Sequence, residues 1–258
     1  MTRIGVIGHK GFLGRNFIQN LYLEDKTRLL LWDRIHHGNF LNKEDRLRFL
    51  QEKNLGITYQ FAWESTESQF YKSNSGHITF AKASISFAKE CFERNIKVVL
   101  IGSLDKNTST KYGQSKLFLY DFLRSHKLSN TILFTPPYIL SLKDRRPHIL
   151  RSYFEWIDKG HEDNLFPIHF PDKKINFLHI KDIATRLTLL NKSIISNDSL
   201  FIESYGRTIT LREFINLARI QINNFHKNST INFEAVSKQI TNLTNETDKF
   251  IYANGKVD

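Results

Sequence analysis

Short apolar runs alternate with helix-like segments along the first 140 residues of the chain. Five runs rich in apolar residues predict buried strands: Ile4–Ile7, Leu29–Trp32, Ile57–Ala62, Val98–Ile101 and Thr131–Phe134. Four segments between them carry apolar residues at helical spacing: Phe12–Leu23, Asp45–Gln51, Ile78–Asn95 and Tyr112–His126. Buried strands that alternate with amphipathic helices predict an α/β fold, in which helices cover both faces of a doubly wound parallel sheet.

The pattern changes after about residue 140, where the segments are shorter and the loops more polar. Helices are predicted near Leu187–Leu190 and Leu211–Gln221. We therefore expect one domain over 1–140 and a smaller substrate-binding lobe over 141–258, interleaved with the last elements of the sheet.

Composition narrows the class of protein. Of the 258 residues, 40% are hydrophobic, and 21 Phe, 9 Tyr and 3 Trp offer enough apolar surface to exclude intrinsic disorder. The single cysteine, Cys91, excludes an internal disulfide framework and a cysteine-rich zinc site. No apolar run approaches the roughly 18 residues of a membrane span. The first residues lack the apolar core of a signal peptide, so we expect a cytoplasmic protein.

The formal net charge of +11 raises the question of nucleic-acid binding. The basic residues are scattered, however, without a run of five or six like charges. We therefore expect a solvated basic surface, part of which faces an anionic substrate or cofactor, and no nucleic-acid partner.

The first strand is followed by a glycine-rich turn with the spacing G-x-x-G-x-x-G, formed by Gly8, Gly11 and Gly14. Gly8 permits the tight turn, Gly11 lets the backbone approach a pyrophosphate, and Gly14 lets the helix pack closely on the strand. Asp33 ends the next strand, where a carboxylate can accept a hydrogen bond from a ribose hydroxyl. This combination favours a Rossmann-type dinucleotide site over an ordinary glycine-rich turn.

Tyr112 and Lys116 form a Y-x-x-x-K motif on a predicted helix, where residues four apart share a face. A nearby cation lowers the pKa of a phenol from its usual value of about 10, so the phenol can exchange a proton with a substrate oxygen. Taken alone, such a pair is most often a surface pair. After a glycine-rich βα unit, it indicates catalysis.

With both motifs, the second in the form Y-G-Q-S-K, the chain resembles the extended branch of the short-chain dehydrogenase/reductase superfamily, the NAD-dependent epimerase/dehydratase family. The resemblance implies that Ser103 orients the substrate oxygen, with hydroxyls at 108–110 as alternatives. It also implies cofactor contacts at four further positions: Phe12, Leu13, Ala62 and Pro137. The segment Phe177–Ala184 is similar to the F-x-H-V-x-D-V-A block of epimerases and dehydratases, in which the histidine is structural.

Two segments are similar to nucleotide-sugar 4-ketoreductases. Gly8–Gly11 resembles the G-H-R-G of GDP-fucose synthases, and Gly38–Asn42 resembles the G-D-F-S-N of dTDP-4-dehydrorhamnose reductases. The second likeness implies adenine contacts from Asn39 and Phe40. Asp33 favours NAD, whereas Lys10 and Arg34 supply positive charge for a 2′-phosphate. We predict NADP, with NAD as the alternative.

The resemblance implies an NAD(P)H-dependent reductase of a nucleotide-linked 4-keto sugar, in surface-polysaccharide or deoxysugar biosynthesis. Tyr112 would donate the proton, Lys116 would lower its pKa, and Ser103 would hold the oxygen. We expect Arg145 and Arg146 to bind the substrate diphosphate. We expect neither a metal nor a membrane partner, and we leave open whether the chain forms a homodimer. The alternatives are a nucleotide-sugar epimerase and a non-catalytic dinucleotide-binding protein, either a sensor or an RNA-associated protein.

Overall fold

A computed structural model describes residues 2–32, 34–63, 68–73, 75–104, 109–140, 149–161, 166–192, 200–226 and 250–252 of the chain. The chain divides into two compact units. The first comprises Met1–Pro136, Ala184–Ser204 and Phe250–Asp258, and the second comprises Pro137–Ile183 and Tyr205–Lys249. The chain thus leaves the first unit after Pro136 and returns to it twice.

The strands, in chain order, are β1 (Arg3–Ile7), β2 (Leu29–Trp32), β3 (Leu55–Gln60), β4 (Lys97–Ile101), β5 (Thr131–Thr135), β6 (Tyr138–Leu140), β7 (Lys174–His179), β8 (Leu200–Ser204), β9 (Arg207–Thr210) and β10 (Phe250–Tyr252). The helices are α1 (Phe12–Asn20), α2 (Leu23–Lys26), α3 (Arg34–His37), α4 (Lys43–Leu50), α5 (Gln69–Lys72), α6 (Gly76–Glu93), α7 (Lys111–His126), α8 (Ile149–Asp158), α9 (Ile180–Leu189) and α10 (Leu211–His226). None of these helices, within the described ranges, is long and apolar enough to cross a membrane.

The first unit is built on one sheet. Across the described residues its seven strands follow the order β2-β1-β3-β4-β5-β8-β10. All neighbouring pairs are parallel except β8 and β10, which are antiparallel. From β1 the chain moves outward to β2 and then crosses back to β3 on the other side of β1, so the strand order reverses between β1 and β3. The parallel α/β fold that the pattern predicts is confirmed, whereas the antiparallel edge strand β10 was not predicted.

The prediction of a buried strand at Leu29–Trp32 is wrong in one respect. The strand β2 forms, but it lies at the edge of the sheet, and the Leu31 side chain is 36% exposed. Leu30 and Trp32 are buried because they face the core. An apolar run does not distinguish an edge strand from a central one.

Aromatic side chains fill much of the core of the first unit. Phe40, Phe49, Phe80 and Phe87 are buried in one cluster with Trp32. Their rings meet in tilted, edge-on and stacked arrangements at centroid separations between 5.0 and 6.2 Å, which is the range that aromatic pairs favour. This packing fixes α4 and α6 on the sheet near the ends of β1 and β2.

The second unit contains, in its described part, a three-stranded sheet in the order β6-β7-β9. Buried residues of α8, β7 and α10 form its core, among them Tyr153, Phe177 and Phe214. Thr210 and Glu213 cap the start of α10 reciprocally: the Thr210 N–H donates to the Glu213 carboxylate, and the Glu213 N–H donates to the Thr210 hydroxyl.

The helix predicted at Leu187–Leu190 is present but longer than predicted. Helix α9 already begins at Ile180, and a 3₁₀ turn follows at Leu190–Lys192. The preceding residue, His179, is 4% exposed, and its Nδ1 accepts a hydrogen bond from the Lys181 N–H. This histidine therefore satisfies a backbone donor in the first turn of α9, as expected for a structural residue.

Candidate active site

The site residues predicted from sequence follow neighbouring strands of the first sheet. Gly8 comes after β1, Ala62 after β3 and Ser103 after β4. These strands are parallel and adjacent, so their carboxyl ends meet at one edge of the sheet. Open parallel sheets bind ligands outside this edge, at the point where the strand order reverses. Here that point lies between β1 and β3.

Each glycine of the turn after β1 has its own geometric reason. Gly8 has a φ of +82°, and a Cβ there would lie 2.5 Å from the Ala62 nitrogen. A Cβ on Gly14 would collide with the Gly8 carbonyl oxygen and with the His9 Cα. A Cβ on Gly11 would meet only the Gly8 oxygen, at 3.1 Å. Gly8 and Gly14 are thus required by packing, while the surroundings of Gly11 are more open.

The contrast between the crowded Gly14 and the more open Gly11 provides a test that distinguishes a phosphate-binding turn from an ordinary βα turn. We expect Gly14→Ala to lower the free energy of unfolding by about 1–3 kcal/mol, because both colliding atoms belong to the backbone. We expect Gly11→Ala to leave thermal stability nearly unchanged and to weaken NADPH binding at least about tenfold, because its methyl group would fill the approach to the pyrophosphate. Thermal melting and fluorescence titration with NADPH measure the two effects. Unchanged NADPH affinity in Gly11→Ala would identify the segment as a plain βα turn.

The start of α1 fits an anionic group. The N-cap residue Gly11 supplies no side-chain hydrogen bond, and the first turn contains no acidic residue. The first N–H groups of a helix need acceptors and carry partial positive charge, which favours phosphate. In the glycine turn that precedes this helix, the Nδ1 atom of His9 is buried without a hydrogen-bond partner in the structure. Phe12 and Leu13 lie at the start of this helix, and their contact with a pyrophosphate stays a prediction.

The structure describes only some of the residues predicted to discriminate NAD from NADP. Lys10 is exposed beside the glycine turn. Arg34 begins α3, but its side chain lies outside the described part of the structure, as does the whole of Asp33. Their roles stay predictions.

The segment Gly38–Asn42 forms a tightly bonded loop between α3 and α4. Gly38 has a φ of +84°, which favours glycine, and the Asn39 N–H donates to the Asp45 carboxylate at 2.7 Å. The Phe40 side chain is 6% exposed and stacks on Phe80. A contact between Phe40 and an adenine would therefore use its backbone, because its ring belongs to the core.

A buried ion pair holds this loop in place. Arg46 of α4 donates from Nε and Nη2 to the two carboxylate oxygens of Glu90 in α6, at 2.9 and 2.8 Å. Its Nη1 donates to the carbonyl oxygens of Phe40 and Leu41 at 2.9 and 3.1 Å. Both charged side chains are almost fully buried, so the guanidinium connects two helices and the loop in one network. The sequence did not reveal this pair, because its partners are far apart in the chain.

The Y-x-x-x-K pair lies in the first two turns of α7. The Thr110 hydroxyl caps this helix by accepting from the Gly113 N–H at 3.0 Å. Tyr112 is half-buried, and the Lys116 ammonium lies 5.5 Å from the centroid of its ring. Lys116 is 4% exposed and donates to the Ile101 carbonyl oxygen, at the end of β4, at 2.8 Å. Burial lowers the pKa of the Lys116 ammonium well below its usual value.

Three residues that surround this pair were not among the site residues predicted from the sequence. The Lys116 ammonium lies over the Trp63 indole, 3.2 Å from the ring centroid. Tyr71, which is 2% exposed, is within hydrogen-bonding distance of Trp63 and Ser115. Ser115 is part of the Y-G-Q-S-K motif, but a motif match does not say what its serine contacts. Trp63 follows Ala62 directly, and that position beyond β3 was the available signal.

Ser103 occupies the predicted place beyond β4. Backbone hydrogen bonds from Gly102 to Phe134 and from Leu104 to Pro136 hold this segment against the end of β5. Among the alternative hydroxyls, Thr110 is engaged as the cap of α7. Thr108 lies outside the described residues.

The remaining predicted positions follow β5. Pro137 is buried directly after the strand. Arg145 and Arg146 lie outside the described part of the chain, so diphosphate binding there stays a prediction.

Comparison with solved structures identifies the class of fold. The chain is similar to dTDP-4-dehydrorhamnose reductase from Yersinia enterocolitica, with a TM-score of 0.69, 14% identity, and coverage of 86% of this chain and 81% of that one. A GDP-D-glycero-L-gluco-heptose synthase from Campylobacter jejuni, crystallised with NADPH, matches with a TM-score of 0.68, 13% identity, and coverage of 86% and 85%. The UDP-glucose 4-epimerase from Thermus thermophilus in complex with NAD matches with a TM-score of 0.62, 14% identity, and coverage of 84% and 82%.

The chain therefore has the Rossmann-type fold that this reductase, this synthase and this epimerase share. The fold that the sequence resemblance implied is thereby confirmed. No protein-family model and no curated protein matched the sequence.

Proposed function

We propose that the chain is an NAD(P)H-dependent reductase of a nucleotide-linked 4-keto sugar. The observation that carries the proposal is the buried Lys116 ammonium beside Tyr112. This ammonium contacts the end of β4, at the same edge of the sheet as the glycine turn that follows β1. A buried cation next to a phenol is an arrangement for proton transfer rather than for a stable core. The fold supports the same class, because the chain is similar to a dTDP-4-dehydrorhamnose reductase and to a GDP-heptose synthase crystallised with NADPH.

In this mechanism each residue has one task. The phenol of Tyr112 donates its proton to the carbonyl oxygen of the substrate. The Lys116 ammonium stabilises the resulting phenolate, and so lowers the pKa of Tyr112 toward the working pH. Ser103 donates a hydrogen bond to the same carbonyl oxygen and orients it. The glycine turn after β1 would hold NADPH, which would supply the hydride that reduces the carbonyl carbon to an alcohol.

The glycine turn and the loop Gly38–Asn42 would hold the cofactor. The N–H groups of Phe12 and Leu13 would bind the pyrophosphate at the start of α1. Asn39 and the backbone of Phe40 would border the adenine. Lys10, with Arg34, would neutralise a 2′-phosphate, which is why NADP is proposed ahead of NAD.

Cofactor choice has a direct test. We expect Lys10→Ala to weaken NADPH binding about tenfold to a hundredfold, because a charge-assisted hydrogen bond contributes roughly 1.5–3 kcal/mol. NADH binding should change little, and Arg34→Ala should behave in the same way. Dissociation constants of both cofactors for each variant measure this selectivity. Equal losses for NADH and NADPH would show that these bases contact solvent or pyrophosphate instead.

The proposed reaction is tested by a substrate panel. Purified protein is incubated with NADPH and a series of nucleotide-linked 4-keto sugars, and loss of absorbance by the reduced nicotinamide is followed. We expect oxidation of NADPH with a subset of the panel, and loss of that activity in Tyr112→Phe. Interconversion of sugar epimers by protein that retains NAD through purification would favour an epimerase over the reductase.

A further inference from the structure

The Lys116 ammonium is buried without a carboxylate partner in the described residues. Two groups replace its water: the Ile101 carbonyl oxygen at 2.8 Å and the face of the Trp63 indole, whose centroid is 3.2 Å away. An ammonium over an indole is attracted by the negative face of the ring, most strongly when both groups are shielded from water. Trp63 is therefore a main stabilising contact of this charge.

A directed chain of hydrogen bonds sets the orientation of the indole. Ser115 has one hydroxyl proton, and it donates that proton to the Tyr112 carbonyl oxygen at 2.7 Å. The Ser115 oxygen must then accept from the Tyr71 hydroxyl, 3.0 Å away. The Tyr71 oxygen in turn accepts from the Trp63 Nε1–H, at the longer distance of 3.4 Å. On the other side, Trp63 packs against Phe80 at a centroid separation of 5.2 Å.

We propose that Trp63 is a positioning residue of the reaction. Its ring face keeps the Lys116 ammonium charged and beside Tyr112, and Tyr71 and Ser115 keep that ring in place. The chain Trp63–Tyr71–Ser115 ends on the backbone of Tyr112, so the indole and the phenol are fixed relative to the same turn of α7. This inference rests on the proposed function, because it assigns a role to Lys116 in proton transfer.

The direction of the expected pH effect follows from the charge. The ammonium is present below the pKa of Lys116 and is lost as the pH rises through it. Burial already lowers that pKa. Removing the indole face removes a stabilising contact of the charged form, so the pKa falls further and charge is lost at lower pH. Among the residues that the structure describes, the titratable groups in contact with this network are Tyr112 on α7, Tyr71 from α5, and His77 of α6, whose ring is 6.2 Å from that of Tyr71.

The first experiment does not depend on turnover. Tryptophan fluorescence is recorded against pH for the wild-type chain and for Trp63→Phe, which retains Trp32 and Trp156. Their difference reports the emission of Trp63. We expect one titration step with a midpoint below the usual lysine value of about 10.4, and its disappearance in Lys116→Met. A difference emission that is constant with pH, or that titrates equally in Lys116→Met, would overturn the proposal.

The second experiment measures kcat/KM against pH for a substrate found with the panel above. The basic limb reports the first proton lost from the coupled pair of Tyr112 and Lys116. We expect Trp63→Leu to shift this limb by about one pH unit, and Trp63→Phe, which keeps an aromatic face, to shift it by less than half as much. Far-UV circular dichroism and thermal melting verify that the variants fold. If Trp63→Leu is unstable, the shift of the basic limb in Trp63→Phe tests the inference instead. Basic limbs that coincide with that of the wild type overturn the inference. If no substrate is turned over, the proposed function fails, while the fluorescence titration still tests the contact between Trp63 and Lys116.

Discussion

Replacing Tyr112 with phenylalanine is expected to lower kcat by about 100-fold to 10,000-fold, the range that general acid catalysis contributes. The substitution removes only the phenol oxygen, so the packing of the ring on the first turn of α7 is kept. The ammonium of Lys116, 5.5 Å from the ring centroid, also stays in place. We therefore expect the Kd for NADPH to remain within about threefold of the wild-type value.

Stopped-flow measurement of hydride transfer in a single turnover, together with a fluorescence titration for the Kd, checks both parts of this expectation. Tyr120→Phe is the matched control, because Tyr120 lies two turns later on the same helix and packs edge-on against Phe201. The control should retain nearly full activity. Hydride transfer in Tyr112→Phe within about tenfold of the wild-type rate would remove Tyr112 from the role of proton donor.

The parts of the fold that depend on local pattern could be predicted from the sequence. The runs Val98–Ile101 and Thr131–Phe134 became β4 and β5 within one residue at either end, and the helix predicted over Tyr112–His126 begins one residue earlier. The backbone requirement at Gly8 was also predicted, because a positive φ and a close approach to the next strand are local demands of a βα turn.

Features that depend on contacts between residues far apart in the sequence could not be predicted. Leu31 lies in an apolar run as regular as the others, and only the strand order reveals that it lies at an edge. Phe40 was assigned to adenine from a local resemblance, but the rings of α6 draw its side chain into the core. Trp63 follows a predicted strand end, yet nothing nearby in the sequence indicates that a lysine of α7 lies on its face.

Among the contacts between residues far apart in the sequence, the ion pair between Arg46 and Glu90 has the largest expected effect on stability. We expect Glu90→Ala to lower the free energy of unfolding by about 3–5 kcal/mol, because it leaves a buried guanidinium without its counter-charge. The side chains of Arg46 and Glu90 are only 5% and 7% exposed, so water cannot readily replace the lost carboxylate. Chemical unfolding by urea, with the slope compared between variants, measures the change.

Glu52→Ala provides the matched control, because the carboxylate of Glu52 pairs with Arg3 at 3.2 Å while the two side chains are 41% and 36% exposed. An exposed pair of this kind contributes less than about 1 kcal/mol, so the control should unfold nearly like the wild type.

Arg46 also holds the carbonyl groups of Phe40 and Leu41. A guanidinium freed from Glu90 can leave those carbonyls, and the loop Gly38–Asn42 would then lose its anchor. We therefore expect the milder Glu90→Gln, in protein that remains folded, to raise the Kd for NADPH while leaving the single-turnover rate at saturating cofactor unchanged. Equal destabilisation by Glu90→Ala and Glu52→Ala would mean that the buried pair contributes no more than a surface one, and an unchanged Kd in Glu90→Gln would separate the loop from the cofactor site.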